Sequence, residues 1–165
     1  MCAKLNLKTR YIESEDIDVD YDYIIYTDGG YSLQKDLGAF AFIILDKSGE
    51  RVIKTFAKKI EHESNNRAEL KAIMAAIYLL PSDAYKICII SDSQYSLKTC
   101  SGVWQQKKNT DLFDWLDSYL EQHPLDITYK WVRGHNGNKW NEECDRMCNK
   151  AAGMDLNAEF AKYKK

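Results

Sequence analysis

No apolar run in this chain approaches the ~20 residues needed to span a bilayer, and the N-terminus carries no apolar core of a secretory signal. A membrane partner is therefore not expected, and a soluble cytoplasmic protein is. The five cysteines, Cys2, Cys88, Cys100, Cys144 and Cys148, are odd in number and form no C-x-x-C. That argues against a disulfide framework and for reduced thiols. Cys144 and Cys148 stand four apart on an expected helix with no second ligand pair nearby, so they read as core packing rather than half a zinc site. There is no G-x-G-x-x-G and no P-loop to cradle a nucleotide phosphate. Internal repeats, long linkers and a second domain are lacking too. So is a surplus of basic charge: 23 Lys and Arg against 25 Asp and Glu give a net −2, unlike a typical nucleic-acid binder.

What remains is one domain's worth of globular sequence, 165 residues with 45% hydrophobic and 29% charged side chains. The charge is uneven. The first 22 residues hold three basic and six acidic side chains, and the rest of the chain is close to neutral. Glu13, Glu15, Asp16, Asp18 and Asp20 suggest that residues 1–21 form an acidic, flexible arm. Residues 22–153 read as the folded domain and 154–165 as a lysine-bearing tail.

The domain is organised around Tyr23-Ile24-Ile25-Tyr26-Thr27-Asp28-Gly29-Gly30. Its unbroken apolar start predicts a strand buried on both faces, ending at a carboxylate. A loop over 29–37 follows, then a strand over 38–45, a turn at 46–49, and a strand over 51–58 that pairs back as a hairpin. Ser64 and Asn65 cap a helix whose apolar stripe is Leu70, Ile73, Met74, Ile77 and Leu80, stopped by Pro81. Glu69 stands at the margin of that stripe. Residues 86–91 form a fourth strand, parallel to the first, and it too ends in an aspartate, Asp92. A short helix over 93–100 and a helix over 111–122 follow, the latter turning Leu112, Leu116, Tyr119 and Leu120 inward. A fifth strand spans 127–132, and a last helix spans 139–152 with Asp145 beside its buried face.

Two neighbouring strands that both end in aspartate bring those carboxylates about one strand spacing apart, ~4.8 Å. Two helices that each carry an acid at the edge of the buried face can pack beside the same point. At an effective dielectric of ~20, two unit charges ~4 Å apart repel by about 4 kcal/mol. A cluster of Asp28, Glu69, Asp92 and Asp145 therefore needs protons or cations. Hard divalent ions with oxygen ligands answer that need, magnesium above all. A pair of such ions would clamp both oxygens of an in-line phosphodiester displacement.

The blocks Thr27-Asp28-Gly29-Gly30, Asn65-Asn66-Arg67-Ala68-Glu69-Leu70, Ser91-Asp92-Ser93-Gln94-Tyr95, Trp131-Val132-Arg133-Gly134-His135-Asn136-Gly137 and Asn141-Glu142-Glu143-Cys144-Asp145 resemble type 1 ribonuclease H in order and spacing. The resemblance implies an α/β fold with a five-stranded mixed sheet in order 3-2-1-4-5, flanked by helices. It implies a monomeric endonuclease that hydrolyses the RNA strand of RNA–DNA hybrids with two Mg2+ ions, Mn2+ being an alternative, and leaves 5′-phosphate and 3′-hydroxyl ends. Asp28, Glu69, Asp92 and Asp145 match the metal-binding acids, and His135 matches a loop histidine that assists proton transfer or product release. Asn66 and Gln94 match minor-groove contacts. Ser64 and Asn65 resemble a phosphate-holding cap, or are caps alone. Gly29 would let a sugar approach the backbone. Trp104 matches an aromatic under DNA sugars, or is a core tryptophan. The chain departs from many members in its brief 104–110 link, where only Lys107 and Lys108 replace a basic insertion. Weak, strongly salt-sensitive hybrid binding is therefore expected. A catalytically silent hybrid-binding module and a related exonuclease are the alternatives.

Overall fold

The computed structural model describes residues 8–13, 20–134 and 136–156. Its elements are β1 (Lys8–Glu13), β2 (Tyr23–Ser32), β3 (Leu37–Asp46), β4 (Val52–Glu61), α1 (Asn65–Tyr78), β5 (Lys86–Ser91), α2 (Gln94–Ser101), α3 (Thr110–Gln122), β6 (Asp126–Trp131) and α4 (Lys139–Ala152). They build a six-stranded sheet in the order β1-β6-β5-β2-β3-β4. β2, β3 and β4 are antiparallel, while β5 runs parallel to β2, β6 to β5 and β1 to β6. The five expected strands are β2 to β6, and their order is the one expected. The sixth strand is a correction.

That strand lies in the stretch expected to be a flexible arm. Lys8–Glu13 pairs in parallel along the whole of β6, from Lys8 opposite Asp126 to Glu13 opposite Trp131. Arg10 anchors it, donating to Thr128 Oγ1 at 2.7 Å and pairing with Asp126 at 3.2 Å. An edge strand needs backbone partners on one side only, so it forms with little apolar content. Glu15, Asp16 and Asp18 lie outside the described residues, as does the chain after Leu156.

A second correction concerns β2. It does not end at Asp28 in a loop over 29–37 but continues through both glycines to Ser32, paired residue for residue with β3. Its pairing with β5 stops earlier, at Tyr26 opposite Ile90. Asp28 thus sits two residues past the point where β2 and β5 part, held by β3 on one side and open on the other.

Alternation along the strands divides the core between two faces. Ile25, Phe42, Ile44, Ile87, Ile89, Ile127 and Tyr129 pack under α1, α2 and α3. Ala39, Ala41, Ile43 and Leu45 meet Cys144, Cys148 and Ala152 of α4 on the other. Burying each large apolar side chain contributes about 1.5–3 kcal/mol. α3 turns Phe113, Leu116 and Leu120 fully inward, with Leu112 and Tyr119 at the margin rather than at the centre as the spacing predicts. Among the described residues four cysteines are unpaired, and Cys144 and Cys148 are core, as expected. None of the described helices is long and apolar enough to cross a membrane.

Candidate active site

The first functional carboxylate follows from the sheet. Asp28 is only 7% exposed, because β3 flanks it and α1 and α4 close over it from opposite faces. The second follows from a glycine. At Gly29 a Cβ would stand 2.5 Å from the Ala68 carbonyl carbon and 2.6 Å from the Glu69 nitrogen. The missing side chain therefore lets the α1 backbone rest directly on β2, which brings Glu69 down beside Asp28. This is a different use from the sugar approach expected at Gly29, since the helix fills the space a side chain would take. Ser64 begins α1, its hydroxyl accepting from the Arg67 N–H at 3.2 Å. Asn65 Nδ2 donates to Glu69 Oε1 at 3.0 Å and fixes that carboxylate's direction.

Asp92 follows β5 directly. Its carbonyl accepts from the Trp131 indole N–H at 3.1 Å, and Asn141 Nδ2 lies 3.5 Å from its Oδ2. The backbone of Gly134 passes so close that a Cβ there would lie 2.8 Å from Oδ2. Ligand oxygens of Asp28, Glu69 and Asp92 all lie within 4.8 Å of one another. Asp145 reaches the cluster from α4, hydrogen-bonding Asp28. All four sequence-predicted acids therefore meet at one point, three of them in a tight group.

Burial and mutual repulsion leave their mark on these acids. Burial pushes the Asp28 carboxyl well above the ordinary range, and the charges of Asp92, Glu69 and Asp145 push it further. Burial, then Asp92, raises Glu69 to about 8, against a small opposing hydrogen bond from Ser93. A carboxyl whose folded pKa is raised favours the fold most when neutral. Its contribution is complete below the ordinary pKa of 4.5 and is lost as pH climbs toward 8. Without divalent cation, the thermal unfolding midpoint should accordingly fall between about pH 4.5 and 8, and millimolar magnesium should flatten that slope. Differential scanning fluorimetry across pH, with and without the ion, measures it.

The remaining expected site residues are dispersed around this centre. Asn66 is exposed in the first turn of α1. Gln94 is the first residue of α2, its Nε2 donating to Glu13 at 3.4 Å. Trp104 is 45% exposed, which removes the core-tryptophan alternative, and Lys98 Nζ stands 4.7 Å from its ring centroid. His135 lies outside the described residues. Sequence reasoning missed two supporting groups. Ser93 hydrogen-bonds Glu69, and Asn141, 3% exposed, touches Asp92. Asn141 stands four residues before Asp145, one helical turn away, and that spacing is the signal that could have found it.

A family model described as RNase H matches residues 20–153. The chain belongs to the ribonuclease H family. It is an endoribonuclease that cuts the RNA strand of RNA–DNA hybrids. Ribonuclease H of Roseobacter denitrificans is 35% identical over 144 residues, covering 78% of this chain and 93% of that protein. Ribonuclease H of Syntrophus aciditrophicus is 33% identical over 157 residues, with 86% and 87% covered. Ribonuclease HI of Synechocystis is 31% identical over 137 residues, with 74% and 82% covered. Among solved structures, the N-terminal RNase H domain of rv2228c from Mycobacterium tuberculosis superposes with a TM-score of 0.64 at 21% identity, covering 86% of this chain and 98% of that one. That likeness speaks to the fold of this ribonuclease H.

Proposed function

We propose that Asp28, Glu69, Asp92 and Asp145 are the metal ligands with which this ribonuclease H cuts the RNA strand, and that the metal is magnesium, bound as two ions. The observation that carries the reading is the close approach of three carboxylates, with ligand oxygens within 4.8 Å of one another. The donor set suits the ion: all oxygen, anionic, and raised in pKa by burial and then by a mutual repulsion that a cation would relieve. Asn141 Oδ1, buried and without a hydrogen-bond partner among the described residues, supports a hydrated site, since it can accept from a water there. When bound, magnesium supplies a polarised phosphodiester and a more acidic attacking water.

The chain's own residues hold and orient. β3 fixes Asp28 through the strand ladder, Asn65 aims Glu69, and Asn141 with the Trp131 indole aims Asp92. His135, the residue after Gly134 in the sequence, is assigned proton transfer or product release. Its replacement by Ala should slow turnover by about 10²-fold while leaving magnesium affinity unchanged, as single-turnover kinetics and a metal titration would record. Ser64, Asn65, Asn66, Gln94 and Trp104 are assigned to the hybrid.

The test is a cleavage assay with magnesium on four end-labelled duplexes: RNA–DNA hybrid, RNA duplex, DNA duplex, and DNA holding one ribonucleotide. Internal fragments with 5′-phosphates from the hybrid, abolished by chelation, are expected. Release of mononucleotides from an end, or cleavage indifferent to chelator, would overturn the assignment.

A further inference from the structure

We infer that Glu13 is a positioning residue for substrate recognition: it fixes the Gln94 carboxamide so that Gln94 offers an acceptor to the minor groove of the hybrid. This rests on the proposed role of Gln94 as a minor-groove contact. The extra strand makes it possible. Register sets Glu13 of β1 opposite Trp131, and Trp131 opposite Ser91, the residue before Asp92. Glu13 is thus at the catalytic end of the sheet, two strand spacings or ~10 Å from β5. Gln94 opens α2 just beyond Asp92, and its Nε2 points at Glu13 Oε2 across 3.4 Å. The Tyr11 hydroxyl donates to the same oxygen at 2.7 Å. Lys98 Nζ lies 5.6 Å from the Tyr11 ring centroid and 4.7 Å from that of Trp104, which joins β1 to the exposed tryptophan.

The chemistry fixes the amide's direction. An ionised carboxylate accepts and never donates, so only the NH2 end of Gln94 can face Glu13. With one N–H turned to Glu13 the amide cannot flip, and the carbonyl Oε1 stays on the side open to substrate. In the minor groove the bases present acceptors everywhere, purine N3 and pyrimidine O2, and one donor, the guanine 2-amino group. The ribose 2′-hydroxyl is the other donor, present on the RNA strand alone. A carboxamide held this way keeps Oε1 ready to accept from a donor, either guanine or ribose. A carboxamide free to turn would pair with any base.

The experiment scans one hybrid for the donor that Gln94 meets. Guanosine is replaced by inosine, which lacks only the 2-amino group, and ribose by its 2′-fluoro analogue, which keeps an acceptor but no donor. The nucleotide at the scissile bond is left unmodified. For the unaltered enzyme, one position should show kcat/KM lowered about fivefold, the effect of one hydrogen bond; the inosine or the fluoro arm that reports it identifies the donor. In Glu13→Ala and Glu13→Gln that discrimination should vanish while kcat on the unmodified hybrid holds. Glu13 is exposed, and the Gln variant keeps its length should the Ala variant fold poorly. In Gln94→Ala the discrimination should vanish as well. Discrimination that survives Gln94→Ala, or none at any position in the unaltered enzyme, would overturn both the role of Gln94 and the inference. Loss in Gln94→Ala with retention in both Glu13 variants would overturn the inference alone. So would an equal fall in KM on modified and unmodified hybrids, which would make Glu13 a repelling charge and nothing more.

Discussion

Replacing Asp92 with Asn should lower hybrid cleavage by roughly 10³-fold or more and, without divalent cation, make the protein more stable rather than less. The two effects share a cause. Asn has the shape of Asp, so the side-chain oxygen can still accept from Asn141 Nδ2, and the backbone carbonyl keeps the Trp131 indole. What is lost is a negative charge. After burial, that charge does most to raise the pKa of Asp28, and it raises Glu69 as well. Its removal relieves repulsion in the metal-free fold, so the unfolding midpoint near neutral pH should rise and its fall with pH should shrink. The same removal strips a ligand from the cation. Magnesium should then stabilise the variant less than it stabilises the original chain. Turnover retained at millimolar magnesium would sink the metal-ligand assignment.

Gly29→Ala should be a costly single-methyl change, at about 3 kcal/mol or more. The added carbon would meet the backbone of Ala68 and Glu69 at 2.5–2.6 Å, and backbone within a helix cannot turn aside as a side chain can. α1 must lift from β2, and Glu69 lifts with it. Activity should therefore fall by more than the loss of folded protein explains. The neighbouring Gly30→Ala is the control: the nearest atoms to its added carbon would be those of the Leu156 side chain, at 3.2 Å. That side chain can shift by tenths of an ångström, so the cost should stay near 1 kcal/mol. Chemical denaturation of the two variants, with cleavage normalised to folded fraction, compares them. Equal costs at both positions would mean that α1 does not rest on Gly29 as described.

Much of this was readable in the chain because the relevant signals are local. The buried strands announce themselves as apolar runs, and β5 ends where Ser91 meets Asp92. The Ser64 cap and the Leu70 stripe predict both the start and the face of α1, and with them the placement of Glu69. Parallel placement of β5 against β2 then brings Asp28 and Asp92 together. What was not readable depends on partners far along the chain. Lys8-Thr9-Arg10-Tyr11-Ile12-Glu13 has no alternation worth the name; it becomes a strand because β6 offers an unpaired edge and Thr128 offers Arg10 an acceptor. Asp28-Gly29-Gly30 looks like a turn, and only the length of β3 shows that β2 runs on through it. The exposure of Trp104 was undecidable because an aromatic side chain carries no local mark of which way it faces.

The sixth strand bears on where the folded unit starts. The match to the family begins at residue 20, yet paired backbone begins at Lys8. A version trimmed to the match would leave β6 as a bare border of the sheet, with the Thr128 and Asp126 side chains stripped of their arginine. Such a border is a template on which a second molecule can add a strand. Lys8–Glu13 therefore acts as a built-in sheath over an edge that another strand could otherwise join.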